Sequence, residues 1–324
     1  MEYFDFSNSL SFIYDKRFDK LNFRELIREY PDAHNASSKK VISKFFNIPK
    51  GNLLVGAGTT QLIYELAQYI KKDNVLILDP TFWEYQYFFE SFDKKVNKFK
   101  INGEIDWVSF EEEVKKNEVI ILCNPNNPDN RFFEKKKLIY LIKKYPKKEF
   151  IVDETYLIFD KNFNRDSLIK ETGTKNLSVL LSFSKFFGVG GIRCGVLFSS
   201  ESKCKDLNKL MGFFITPTLN QEIIKIVLSS KKKIERKRSI ILRQKEFMLR
   251  GLKKLNGLEI TSGKSNFILI KSKKNIDLEK ELKKKGLIVR SGKEFNLGKN
   301  TIRFSVQSNK KNRKLLLELG KLLT

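Results

Sequence analysis

The sequence predicts an α/β fold, in which a mostly parallel sheet lies between helices and a smaller α+β unit follows. Three observations carry that expectation. Short, continuous apolar runs recur through the first part of the chain, helical segments separate them, and a long Lys- and Arg-rich helical stretch precedes a second set of strands.

The apolar runs are NLLVG (52–56), NVLIL (74–78), EVIIL (118–122), EFIVD (149–153), SVLLS (178–182) and CGVLF (194–198). Runs without polar alternation are buried on both faces, as in the strands of a helix-covered parallel sheet. Between them, 59–71 has the spacing of an amphipathic helix capped by Thr59 or Thr60, and 132–144 that of another. From 219 to 254 the pattern is helical throughout and dense in cations. The second unit has strands at 266–271, 287–290 and 301–306, with helices near 277–285 and 310–323.

A chain of 324 residues with 41% hydrophobic residues is long enough for one large core and a smaller companion. The net charge of +25 raises the question of a nucleic-acid partner. The lysines are spread along helix ends and solvent faces instead of forming one patch, so no nucleic-acid surface is expected. Cys123, Cys194, Cys204 and the single His34 can build neither a disulfide framework nor a usual zinc site, so no metal is expected and a reducing cytoplasm fits. His34 reads as a surface or turn residue. No apolar run approaches the length of a membrane span, and the N-terminus lacks the pattern of an export signal.

Ligands of open α/β sheets gather beyond the carboxyl ends of the strands. There the sequence places GAGTTQ (56–61), glycines opening onto a helix N-terminus whose free N–H groups suit a phosphate. DPTFWEYQY (79–87) follows, where the simplest reading of the aromatics is core packing. CNPNNPDN (123–130) is dense in turn-forming Asn and Pro, and DETY (153–156) sets carboxylates at a strand end, where burial demands a cationic partner. Last comes SFSKFFGVGGIRCG (182–195). Lys185 beside Ser182, Ser184 and Arg193 is the equipment for bonding an aldehyde next to a bound phosphate.

SxSKxxGxxGxRxG, NPNNP and D-E-x-Y in this order and spacing resemble the pyridoxal-phosphate-dependent aminotransferases of fold type I, class I/II, in the branch of histidinol-phosphate aminotransferases and threonine-phosphate decarboxylases. The likeness runs from DFSNS (5–9) to IRFSV (302–306). It implies a large domain with a seven-stranded, mostly parallel sheet and a smaller α+β domain, with 1–29 as an N-terminal segment joining the small domain, 30–230 as the cofactor-binding domain and 231–324 as the small domain.

By resemblance, Lys185 bonds pyridoxal 5'-phosphate and moves the proton, its pKa lowered by desolvation and Arg193. Asp153 pairs with the pyridine nitrogen, and Asn127 and Tyr156 bond the phenolic oxygen. Phe82 stacks on the ring, with Trp83 as the competing candidate. Gly58, Thr59, Thr60, Ser182, Ser184 and Arg193 hold the phosphate, and Tyr30 reaches the phosphate of a partner subunit, which implies a homodimer. Arg303 grips a substrate carboxylate and Arg290 a distal or acidic group; on a chain this basic both also fit exposed structural arginines.

The implied activity is transfer of an amino group between an amino acid donor, glutamate, and a small oxo or phosphorylated substrate. The alternative is decarboxylation of a phosphorylated amino acid, which DFSNS, VRS (289–291) and FSVQS (304–308) favour locally. One departure stands out, because the family's NPNNPTG is NPNNPDN here, with Asp129-Asn130 in place of Thr-Gly.

Overall fold

The structure is a computed structural model that describes residues 3–101 and 103–323. Its strands are β1 (Phe4–Asp5), β2 (Leu53–Ala57), β3 (Asn74–Asp79), β4 (Lys95–Lys100), β5 (Val119–Cys123), β6 (Glu149–Asp153), β7 (Leu177–Ser182), β8 (Cys194–Ser199), β9 (Leu258–Thr261), β10 (Phe267–Ser272), β11 (Leu287–Ile288), β12 (Arg290–Ser291) and β13 (Thr301–Ser305). The large sheet has seven strands in the order β2-β8-β7-β6-β5-β3-β4. Only β8 runs against its neighbours, pairing antiparallel with both β2 and β7.

All six apolar runs are strands of this sheet. The seventh strand, β4, is KVNKFK and half-exposed at the sheet edge. Lys95, Lys98 and Lys100 are exposed, so it carries no continuous apolar signal of the kind the central strands show.

A second sheet, β12-β13-β10-β9, is antiparallel throughout, and β1 pairs in parallel with β11. The expected strand at 287–290 is thus two short pieces in two different sheets, divided at Val289. Phe4 and Phe6 from the start of the chain are buried in a second apolar cluster with Met248, Leu287, Ile302 and Phe304, while Phe18 is buried in the larger cluster around the seven-stranded sheet.

Three helix expectations are corrected. The helix expected at 59–71 spans Thr59–Tyr69 with Gly58, not a threonine, at its N-cap, because the cap needs φ of 85°, a conformation open to glycine. The helix expected from 132 begins at Lys135. Before it, Phe133 is held in a reciprocal pair with the Asn124 side chain, its N–H donating to Oδ1 at 2.8 Å and its carbonyl accepting from Nδ2 at 3.0 Å. The long stretch from 219 is two helices, Thr218–Leu228 and Lys231–Leu252. Ser230 breaks them, its hydroxyl accepting from the Lys233 N–H at the new N-terminus. Asp277 caps the helix Leu278–Lys284, and a final helix spans Asn309–Leu323.

Candidate active site

A cavity of about 270 Å³ opens at the carboxyl ends of β5, β6 and β7. Gly58, Thr59, Thr60, Phe82, Asn127, Asp153, Tyr156, Ser182, Ser184, Lys185, Arg193 and Arg290 all border it, as does Trp83. Residues far apart in the chain converge because each strand ends at the same edge of the sheet and its polar successor turns into the same space.

Asp153 ends β6 and is buried. The Thr155 N–H donates to Oδ1 at 2.9 Å, and the Tyr85 hydroxyl donates to Oδ2 at 2.8 Å. Burial raises the Asp153 pKa, and these donors and the nearby Lys185 oppose the rise. Tyr85 is fully buried on the helix Glu84–Glu90, where a phenol needs an acceptor. The sequence reading gave Phe82 or Trp83 a stacking role and no role to Tyr85; the signal that could have found Tyr85 is its place in the first turn of the helix that directly follows those two cavity-lining aromatics.

Lys185 follows β7 on the short helix Phe183–Phe187. Its amine donates to the Asn8 carbonyl at 3.0 Å. Its pKa is lowered to about 8, first by burial and then by the positive charges of Arg303, Arg193 and Arg290. Arg193 therefore contributes as expected, but Arg303 contributes more.

Gly56 and Gly195 face each other across β2 and β8. A Cβ at Gly195 would lie 2.5 Å from the Thr59 nitrogen, so the missing side chain lets the helix start press onto the sheet. A Cβ at Gly58 would lie 2.8 Å from Arg193 Nη2, which sets the guanidinium against the N-terminus of that helix. The Ser184 hydroxyl at this end is buried with no partner. Helix N–H groups, an arginine and an unpaired hydroxyl together form a site for an anion. Glu84, another lining residue the sequence reading missed, has one buried carboxylate oxygen without a partner and a pKa raised by burial.

The small sheet contributes the remaining candidates. Arg303 on β13 and Arg290 on β12 are register partners. Arg303, only 4% exposed, does not border the cavity; it stands behind Asn127, donating from Nη1 to Asn127 Oδ1 at 2.5 Å and from Nη2 to the Ser7 carbonyl at 2.6 Å. Its Nε is buried without a partner, and its guanidinium lies over the Phe267 ring at 4.9 Å. Arg290 is exposed and paired with Glu294 at 2.6 Å. Tyr30 is not brought to the cavity: it is 84% exposed and packs edge-on against Phe214 at 5.6 Å. His34 lies edge-on against Phe213 at 5.2 Å.

The profile of the family "Aminotransferase class I and II" matches residues 16–319. The chain belongs to this family. It is a transaminase, and relatives across most of its length are similar. The histidinol-phosphate aminotransferase of Ruminiclostridium cellulolyticum is 29% identical over 304 residues, covering 90% of this chain and 82% of the relative. That of Clostridium novyi is 30% identical over 293 residues, covering 87% and 80%. Among solved structures, the histidinol-phosphate aminotransferase of Clostridium acetobutylicum superposes with a TM-score of 0.90 at 21% identity, covering 98% of each chain. The L-threonine-O-3-phosphate decarboxylase of Porphyromonas gingivalis superposes at 0.87 with 24% identity, covering 98% of this chain and 99% of that one. At such identities the superpositions establish the aminotransferase's fold alone. No helix among the described residues is long and apolar enough to cross a membrane.

Proposed function

We propose that this aminotransferase binds pyridoxal 5'-phosphate in the cavity and moves an amino group from an amino acid donor, glutamate, to a small oxo or phosphorylated acceptor in the cytoplasm. The observation that carries the reading is that Lys185 and a buried carboxylate, Asp153, border the same cavity, where burial and nearby arginines lower the pKa of the amine. The residues fit the cofactor. The unpartnered Ser184 hydroxyl, the helix start at Gly58-Thr59-Thr60, Ser182 and Arg193 suit its phosphate, and Phe82 suits the ring face.

When bound, the cofactor supplies an electron sink for the carbanion at the substrate's α-carbon. Lys185 would hold the cofactor by condensing with its aldehyde and releasing water, and, once the donor's amine has displaced it, would carry the proton to and from the α-carbon, where burial and nearby arginines favour the free amine near neutral pH. Asp153 would keep a proton on the ring nitrogen, and Tyr85 and the Thr155 N–H fix the orientation of its carboxylate. Asn127 and Tyr156, which border the cavity, would bond the phenolic oxygen. Arg303, whose Nε has no partner, takes the substrate carboxylate from behind Asn127, and Arg290 takes a distal acidic group, which the relatives named for a phosphorylated substrate support. The two apolar clusters support a large and a small domain, with Phe4 and Phe6 of 1–29 packed in the small one; Phe18, Ile234 and Ile241 pack in the large one, so the clusters cut across the bounds 1–29, 30–230 and 231–324.

Glutamate added to the loaded protein should convert the cofactor to its pyridoxamine form, and phosphothreonine should release no CO₂. Release of CO₂ with the cofactor remaining an aldehyde would replace transamination by decarboxylation.

The exposed aromatics Tyr30, Phe213 and Phe214 support a homodimer in which Tyr30 serves the partner's phosphate site. Mixing Lys185→Ala subunits with Tyr30→Phe subunits should then recover activity beyond that of either parent, whereas a monomer in sedimentation would refute the shared site.

A further inference from the structure

Asp129-Asn130, where the family pattern has Thr-Gly, forms contacts that a glycine cannot make. Asn130 has φ of 61°, a left-handed conformation that glycine adopts freely and asparagine tolerates. Its side chain is only 4% exposed and crosses from the turn after β5 to the small sheet. Nδ2 donates to the Phe267 carbonyl at 3.0 Å, and Oδ1 accepts from the Ser265 N–H at 3.3 Å and from the Ser265 hydroxyl.

These backbone groups are an open sheet edge. β9 pairs with β10 only as far as Thr261 opposite Leu269. The Asn266 carbonyl accepts from the Val306 N–H, so even-numbered residues here address β13 and odd-numbered ones the β9 side, where Ser265 and Phe267 lie beyond the last β9 pair. The Asn130 amide offers one donor and one acceptor, as a neighbouring strand would. Lys245 grips the same segment from another direction, donating to the Gly263 carbonyl and, at 2.6 Å, to the Ser265 carbonyl.

Phe267 is the link to the site. Its ring meets Tyr156 edge-on at 4.9 Å and lies under the Arg303 guanidinium. Asn127, three residues before Asn130, accepts from the same arginine. We propose that Asn130 is a positioning residue, whose side-chain amide closes the open edge of β10 and so sets Phe267 beneath Tyr156 and Arg303, fixing the affinity for the donor's carboxylate. The claim rests on the proposed role of Arg303.

Asn130→Gly preserves the backbone conformation and removes the clamp. In the cofactor-free protein, amide exchange over 263–267 should speed up by about tenfold, with the helix Lys135–Lys144 unchanged. In the loaded enzyme, KM for glutamate should rise about tenfold while kcat stays within about twofold. Asn130→Asp, which accepts from Ser265 but cannot donate to Phe267, should match the glycine variant in KM. Unchanged exchange in Asn130→Gly would overturn the clamp, and so would an Asn130→Asp enzyme with the parent's KM. Faster exchange with unchanged KM would overturn the positioning role. A parent protein that fails to transaminate would count against the functional reading alone; the exchange measurement would still judge the clamp, and calorimetric binding of maleate, a dicarboxylate, would replace KM.

Discussion

At the sheet side of the cavity, the polar groups stand at the ends of fully buried strands: Asp153 ends β6, Ser182 ends β7, and Lys185 follows within one turn. At the small-sheet side they sit on short strands, and two arginines paired in register differ completely. Arg303 is buried and engaged by Asn127 and Ser7, while Arg290 is exposed and held by Glu294. The difference teaches that the sheet side is preorganised by backbone architecture, whereas the small-sheet side is set by side-chain contacts between separate parts of the chain.

The comparison is most severely tested at Lys185. Lys185→Ala should lower turnover by at least about 10⁴-fold, because the covalent anchor and the proton carrier are lost together. Borohydride should fix the cofactor to the peptide 182–187 of the parent and not of the variant; label on another lysine would move the site elsewhere. Asp153→Asn comes next, with kcat reduced about 10²- to 10³-fold and cofactor still bound, since an amide cannot keep the ring nitrogen protonated. Near-normal turnover would show that the sheet side is not organised around this carboxylate.

On the small-sheet side, the two arginines should separate. Arg303→Lys keeps the charge and loses the planar fork, so KM for glutamate should rise about 30-fold. Arg290→Ala removes an exposed cation from the cavity rim, and KM for glutamate, whose distal carboxylate it takes, should rise about fivefold, well below the effect at Arg303. Equal effects in the two variants would erase the distinction.

A pH profile tests the state of the amine itself. The Lys185 amine is charged below a pKa of about 8 and free above it, and only the free amine attacks the cofactor's aldehyde. The rate of cofactor capture by the cofactor-free protein should therefore rise about tenfold per pH unit up to pH 8 and level off above it. A rise continuing to the pH of an ordinary lysine would mean that burial and the three arginines do not act on the amine.

The sequence by itself determined the six apolar strands, the polar residues at their ends and the motif around Lys185, because continuous apolar runs and turn residues are local signals that each strand carries alone. It did not reveal β4, whose exposed lysines mask the strand, or the break at Ser229-Ser230, where a cap overrides a helical pattern that continues on both sides. Only the tertiary structure decided that Tyr85 donates to Asp153, that Arg303 stands behind Asn127 and that Asn130 closes the edge of β10. Each of these is a buried hydrogen bond between distant segments, which forms because a polar group removed from water must find whatever partner the packing brings within reach, and no local pattern in the chain encodes which one that is.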